Sequence, residues 1–284
     1  MTIMPKKLII DKDTFVGINL DELCNFARNH FLILPLVLHD ECATNVEKRE
    51  ELFEKFRTLI LSGSHMCMAG RHIVQKEGQT LQPHGSLADT DETNRMRRKF
   101  KKGYVLSKPD SVDDIHEGHV DAAYLALEKN EEVANAIAPK KLKEAEEKRG
   151  FLEANKLERF KFWVGAVELV DIHRIAISTF SYLTDSPEKF CLSRSWVTWH
   201  FVRLASVLAL DYAFLRKGKG GTKEFTKAKH DLHDIEYVYL MSRADGLLTR
   251  DKKLVKPLAQ AAFPEKDVFF SLDEVPDEYI CLWS

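Results

Sequence analysis

The sequence predicts an α/β fold, three-layer α/β/α, built on a small, mostly parallel central sheet and carrying a large helical insertion. Three observations lead there. Short apolar runs, KLII (7–10), FLILPLVL (31–38), LLT (247–249) and VFFS (268–271), stand at the two ends of the chain. At both ends they alternate with helical patterns, as in a parallel sheet with crossover helices. Between about 111 and 215 helical periodicity is almost unbroken.

KLII ends at Asp11. Residues 21–29 predict a helix with Leu23, Phe26 and Ala27 on one side. Pro35 divides the run 31–38 into a strand and a helix start. From Val46 the positions Leu52, Phe53, Phe56, Leu59 and Ile60 fit a helix, which Ser62-Gly63 stops. Residues 66–69 and 72–75 read as short strands, and the polar stretch 77–94, with Gly78, Pro83 and Gly85, as a loop. Asp110-Ser111 offers a helix cap, and Pro139 and Ser186-Pro187 punctuate the helices that follow. Residues 151–183 form a long amphipathic pattern, and 196–215, apolar nearly all round, a central helix. After the glycine–lysine loop RKGKGGTK (216–223) come a helix over 229–243, a strand at 247–249, a helix over 252–262 and a strand at 268–271. Residues 1–104 and 218–284 are therefore expected to form one core, with 105–217 inserted and packed on it.

The 284 residues, 44% of them hydrophobic, suffice for a large buried core. Although 30% are charged, the signs cancel to −2, so any footprint for a polyanion must be local. Cys24, Cys42, Cys67, Cys191 and Cys281 are odd in number and form no CxxC pair, which argues against a disulfide framework or a zinc ribbon and for reduced thiols in the cytoplasm. MTIMPKKLIID has no apolar region of a secretory signal. The run 196–215 contains His200, Arg203 and Asp211, so a core helix is expected and a membrane partner is not.

Two strands end in an acid, KLII before Asp11 and LLTR before Asp251. In α/β sheets the functional crevice lies outside the carboxyl ends of the strands. If these two strands are adjacent, their acids meet there, and close carboxylates call for a cation, a hard one with oxygen ligands such as Mg²⁺ or Mn²⁺. Asp231 and Asp234 share a helix face leading into the ADGLLT strand, and Asp40-Glu41 follows FLILPLVL. Each acid alone is explained by capping or turn formation. All of them in this order are less ordinary.

LIIDKD, LVLHDECATN, HDLHDIEYVYLMSRADG and LLTRDKKL together resemble the PIN-domain family of metal-dependent nucleases. The resemblance covers roughly 7–62 and 228–275, and its most specific part is the late block ending in Thr-x-Asp; the stretch 105–220 lies outside it. It implies a PIN-like fold, with Asp11, Glu41, Asp234 and Asp251 as ligands of one or two Mg²⁺ or Mn²⁺ ions, Asp231 as a further candidate ligand, and Thr249 orienting a water or a phosphate. Asp13 competes with Asp11, Asp40 with Glu41, and Asp231 with Asp234. The implied activity is endoribonuclease, leaving 5′-phosphate and 3′-hydroxyl ends, with an RNA substrate and, as for the family's toxins, an antitoxin or other protein partner. The alternatives are a PIN-fold scaffold without catalysis and a structure-dependent DNA nuclease.

Basic residues must bring a polyanion to an acidic pocket. Arg95, Arg97, Arg98, Lys99, Lys101 and Lys102 form a cluster with Phe100 interleaved, suited to phosphate contacts and base stacking, or else to a solvated helix face. Residues 216–223 offer cations on a glycine backbone, or a flexible connector. Arg250, Lys252 and Lys253 flank Asp251 and either steer phosphate or line a helix surface. His230 and His233 form an HxxH that lacks a third zinc ligand, and Trp196 and Trp199 are expected in the core.

Overall fold

A computed structural model describes residues 5–106, 138–168, 193–216 and 225–281. The cap expected at Asp110-Ser111, the break at Ser186-Pro187, Cys191 and nearly all of the glycine–lysine loop lie outside these residues.

Five apolar runs form one sheet: β1 (Lys7–Ile10), β2 (Phe31–Pro35), β3 (His65–Cys67), β4 (Gly246–Leu248) and β5 (Asp267–Phe269). Their order is β3-β2-β1-β4-β5, and every pair is parallel. A parallel strand is covered on both faces, so it reads as a continuous apolar run rather than an alternating one. Leu8, Ile9, Ile10, Leu32, Ile33, Leu34, Leu247 and Leu248 are all fully buried. The two ends of the chain meet at the centre, where Ile9 is in register with Ile33 on one side and Leu247 on the other. From β1 the chain winds toward β3 in one direction, and β4 and β5 lie in the other. The topological switch point is thus between β1 and β4.

Before β4 come α1 (Lys12–Gly17), α2 (Leu20–Asn29), α3 (Leu36–Thr44), α4 (Arg49–Ser62), α5 (Gly70–Thr80) and α6 (Thr90–Lys101). Then follow α7 (Pro139–Glu147), α8 (Arg149–Ala154), α9 (Lys156–Glu168), α10 (Val197–Arg216) and α11 (Phe225–Leu240); α12 (Val255–Ala262) links β4 to β5. Helix α4 stops where expected, at Gly63, whose φ of 130° lies where residues with a Cβ are strained.

Three segments differ from the sequence reading. Residues 72–75 are helical. Ile73-Val74 looks strand-like, but Ile73, Val74 and Glu77 are buried together at helical spacing, and the Glu236 carboxylate accepts the first α5 amide, from Gly70 (2.7 Å). The loop expected over 77–94 shrinks to 81–89, because α5 runs on to Thr80 and Asp89 caps α6 by accepting the Glu92 amide (2.9 Å). The pattern from 151 is interrupted at Asn155, whose side chain donates back to the Phe151 carbonyl (2.9 Å), so α8 and α9 are separate.

Helix α9 packs on α12 and α10, and α10 on α11 and α5. Trp163 and Leu208 from this helical part belong to the same continuous core as Ile9 and Phe56 from the sheet part. Buried polar side chains of α10 find partners, although His200 Nδ1 and Arg203 Nε accept or donate no hydrogen bond among the described residues. Asp211 accepts from Arg159 (2.5 Å) and Trp163 (3.0 Å), Arg203 donates to Glu168 (3.0 Å) and the Ala262 carbonyl (3.1 Å), and His200 Nε2 meets the Arg194 carbonyl (2.9 Å). Among the described residues no helix is long and apolar enough to cross a membrane.

Glu77 fastens α10 to the rest. Its carboxylate, 1% exposed, accepts the amides of Val197 (3.1 Å) and Thr198 (2.8 Å), the Thr198 hydroxyl (2.5 Å) and the His84 amide (2.8 Å). It satisfies orphan donors at the helix start and lies at the positive end of the helix dipole. Glu77→Ala is expected to cost about 2–4 kcal/mol in urea unfolding and Glu77→Gln about half of that, because the amide still accepts one bond but carries no charge. An unchanged midpoint for Glu77→Ala would show that this cap contributes nothing to stability.

Candidate functional site

The site begins where β1 ends. The Asp11 amide donates to the Leu248 carbonyl (3.2 Å), extending the β1–β4 ladder by one residue and setting Asp11 beside Thr249. The Asp11 side chain is 2% exposed and caps α1 by accepting the Thr14 amide on Oδ1 (2.8 Å). Its Oδ2 accepts the Thr249 hydroxyl. Thr249 is fully buried, its amide is pinned to the Phe269 carbonyl (2.9 Å), and its Oγ1 accepts the Asp251 amide (3.1 Å). A hydroxyl donates and accepts at once, which is why threonine can tie Asp11 to the backbone of Asp251. The Asp251 carboxylate caps the chain entering α12, accepting the amides of Lys253 (2.6 Å), Leu254 (3.2 Å) and Val255 (3.1 Å).

Helices supply the remaining acids. Asp234 lies six residues before the end of α11, ~9 Å along its axis. β4 returns over ~10 Å, which brings its carboxyl end level with Asp234. Tyr237, three residues on, shares that face of α11 and donates its buried hydroxyl to Glu41 Oε2 on α3 (2.5 Å). The other Glu41 oxygen pairs with Lys12 Nζ (3.4 Å). Asp11, Lys12, Asp13, Glu41, Asp234, Tyr237, Asp251 and Val255 line one open pocket of about 200 Å³.

Among the described residues the pocket gathers five carboxylates around one lysine, which produces strong mutual repulsion. Burial pushes Asp234 up to about 8, and the charges of Glu41, Asp251, Asp231 and Asp13 add to the effect. Burial raises Asp11 to about 6 against the hydrogen bonds from Thr249 and Thr14. Glu41 is also raised, by burial first, with Lys12 and Tyr237 acting in the other direction. Such perturbed groups converging in a cleft mark a candidate functional site.

The donors are all carboxylate oxygens, the chemistry that suits Mg²⁺ or Mn²⁺. Among the described residues no three His, Cys, Asp or Glu side chains stand ready in a ligating arrangement, and Lys12 holds one oxygen of Glu41. Each carboxylate offers about four acceptor positions, so the bonds to Asp11 and Asp251 leave them capacity for a cation. The donor set therefore fits a hard divalent ion, and Asp11, Glu41, Asp234 and Asp251 are the residues that would hold it once Lys12 turns aside.

The four acids expected at the site all line the pocket, and Asp13 lies exposed on its rim. Asp40 pairs with His39 (3.5 Å), Asp231 accepts the Tyr212 hydroxyl from α10, and neither lines the pocket. Nor does any residue of the basic cluster. Helix α6 packs on α4 and on β3, at the far edge of the sheet. There Arg97 donates to the carbonyls of Ile60 (2.9 Å), Gly63 (2.8 Å) and Ser64 (2.9 Å), Arg95 pairs with Glu92, and Lys99 sits over the Tyr104 ring (5.3 Å). Arg98, Lys101 and Lys102 are exposed. The stacking role expected of Phe100 is overturned: its ring is fully buried, in one stripe with Thr93 and Met96. Arg250 donates to the Gly17 carbonyl (2.7 Å). Trp196 is buried and Trp199 partly so against the core, while the His230 side chain lies outside the described residues. Sequence reasoning missed Lys12 and Tyr237. Their signals were adjacency to Asp11 in LIIDKD and the three-residue spacing from Asp234.

No family model, no curated protein and no solved structure matches this chain.

A carboxyl raised in the folded state keeps its proton where the unfolded chain releases it. Stability is then lost as pH rises from about 4 to about 8, the window set by the ordinary value and by that of Asp234. In metal-free protein, Asp234→Asn is expected to raise Tm by at least ~3 °C at pH 8.5, with the gain vanishing toward pH 4. Calorimetric scans across that range test this, and parallel pH profiles for the two proteins would contradict it.

Proposed function

We propose that the chain is a divalent-metal-dependent endoribonuclease of PIN-like, three-layer architecture, hydrolysing RNA phosphodiester bonds at the acidic pocket. One observation carries this reading: acids contributed by both ends of the chain, Asp11, Glu41, Asp234 and Asp251, line one pocket at the switch point of a parallel sheet. When bound, a divalent ion lowers the pKa of a coordinated water and neutralises charge developing on the phosphoryl and leaving oxygens.

The chain's own residues prepare the pocket. Thr249 and the Thr14 amide fix both oxygens of Asp11, and Tyr237 orients Glu41. Asp234 has neither a hydrogen bond nor an ion pair among the described residues, so it is the carboxylate with most to gain from a cation, whose binding expels its proton. Lys12, displaced from Glu41, offers its N–H groups to an incoming phosphate.

A second reading, a PIN-fold binding module without catalysis, is favoured by the Lys12–Glu41 pair and by the capping bonds of Asp11 and Asp251, which partly satisfy the pocket without any ion. Calorimetric titration separates the two. The nuclease reading expects Mn²⁺ to bind the parent, more tightly still when Lys12→Met removes the competing ammonium, and not to bind Asp234→Asn. The binding module expects no heat from any of the three.

With Mg²⁺ or Mn²⁺, labelled single-stranded RNA should be cut internally, and EDTA should abolish the cutting. Thr249→Val and Tyr237→Phe should lose ~10–100-fold, the usual cost of removing a residue that orients a ligand, and Asp11→Asn and Asp234→Asn more than that. Asp11→Asn and Asp234→Asn cutting as fast as the parent would overturn the proposal. DNA oligonucleotides that outcompete RNA would make it a DNA nuclease.

A further inference from the structure

The pocket must receive a polyanion, yet the basic residues of α6 are remote from it. A second group of cations lies at its margin. Lys252 directly follows Asp251, Lys256 lies one helical turn on, and the Lys256 amide donates to the Asp251 carbonyl (3.0 Å). Phe270 directly follows β5, whose end is pinned to that of β4 by the bond from the Thr249 amide to the Phe269 carbonyl (2.9 Å). Its own amide is tied to Glu274 (2.6 Å). The two ammonium groups stand 4.1 and 5.2 Å from the centroid of the half-buried Phe270 ring. Among the described residues no carboxylate pairs with Lys252, Lys253 or Lys256.

The geometry points to Lys252, Lys256 and Phe270 as the docking surface for a single-stranded nucleic acid, delivering its backbone to the neighbouring acidic pocket; this deepens the nuclease reading and rests on it. Cations beside an aromatic face are what a single strand needs: phosphates take the ammonium groups and a base takes the ring. A base stacking on Phe270 replaces one ammonium, which turns to the adjoining phosphate. A duplex keeps its bases stacked on each other and offers the ring none. The contrast with α6 is chemical as well as positional, because Arg95 is paired and Arg97 is spent on three carbonyls.

The test is fluorescence anisotropy of a labelled single-stranded RNA oligonucleotide in EDTA, where no cutting interferes, over a range of salt. Lys252→Ala with Lys256→Ala should weaken binding at least ~10-fold and flatten the log–log salt slope by ~1.4, ~0.7 for each phosphate no longer neutralised. Phe270→Leu, which keeps apolar bulk, should weaken it at least ~5-fold and leave the slope unchanged. A triple α6 variant, Arg95→Ala, Arg98→Ala and Lys101→Ala, should bind like the parent. Melting temperatures equal to the parent's exclude misfolding as the cause of weaker binding. The inference is overturned if the α6 variant loses affinity while the other variants keep it, if duplex RNA binds more tightly than single strands, or if the parent binds no RNA. Cleavage assayed with Mn²⁺ on the same proteins keeps the two claims apart. A parent that cuts RNA while the Lys252, Lys256 and Phe270 variants bind normally refutes the docking surface alone. A parent that binds through those residues but never cuts refutes the nuclease alone.

Discussion

The pairing of β1 with β4 is the interaction on which everything else depends. It joins strands from opposite ends of the chain, with Ile9 in register with Leu247, and it continues through the Asp11 amide to the Leu248 carbonyl. Because the strands are parallel, both carboxyl ends reach the same edge of the sheet, and Asp11 and Thr249 emerge side by side. In an antiparallel pair those residues would lie at opposite edges. A one-residue slip would turn Thr249 to the other face and separate it from Asp11.

That geometry concentrates negative charge, at a cost to stability. Burial and mutual repulsion hold Asp234 at about 8 and Asp11 at about 6, while among the described residues Lys12 is the single cation lining the pocket. A fold selected for stability alone has little reason to keep five acids around one lysine, and real proteins break local rules of this kind where function requires it. The surroundings are arranged to tolerate the charge. Backbone amides cap Asp11 and Asp251, two hydroxyls hold Asp11 and Glu41, and the rigid sheet keeps the acids from moving apart.

Much of this was legible in the sequence, for identifiable reasons. KLII and FLILP read as strands because a parallel strand buried on both faces has no polar alternation to obscure it. Asp11 and Asp251 were legible because they follow the runs KLII and LLT, whereas Glu41 and Asp234 stood beside Asp40 and Asp231 and were preferred only through the PIN resemblance. What stayed hidden depends on tertiary neighbours. Ile73-Val74 has strand propensity, but Glu236, far along the chain, caps the helix that contains it. Phe100 looked available among cations because one-dimensional adjacency does not say which face of α6 meets α4 and β3. Lys12 and Tyr237 are hard to read in the sequence because a lysine beside Asp11 and a tyrosine three residues after Asp234 are ordinary neighbours until the fold sets both against Glu41.

The central claim is that the pocket formed at the β1–β4 edge is a cation site. Anomalous diffraction from crystals soaked in Mn²⁺ tests it most directly. The account predicts a strong peak among the carboxylates of Asp11, Glu41, Asp234 and Asp251, with Lys12 withdrawn from Glu41. A pocket without a peak, with the Lys12–Glu41 pair intact at saturating Mn²⁺, would contradict it.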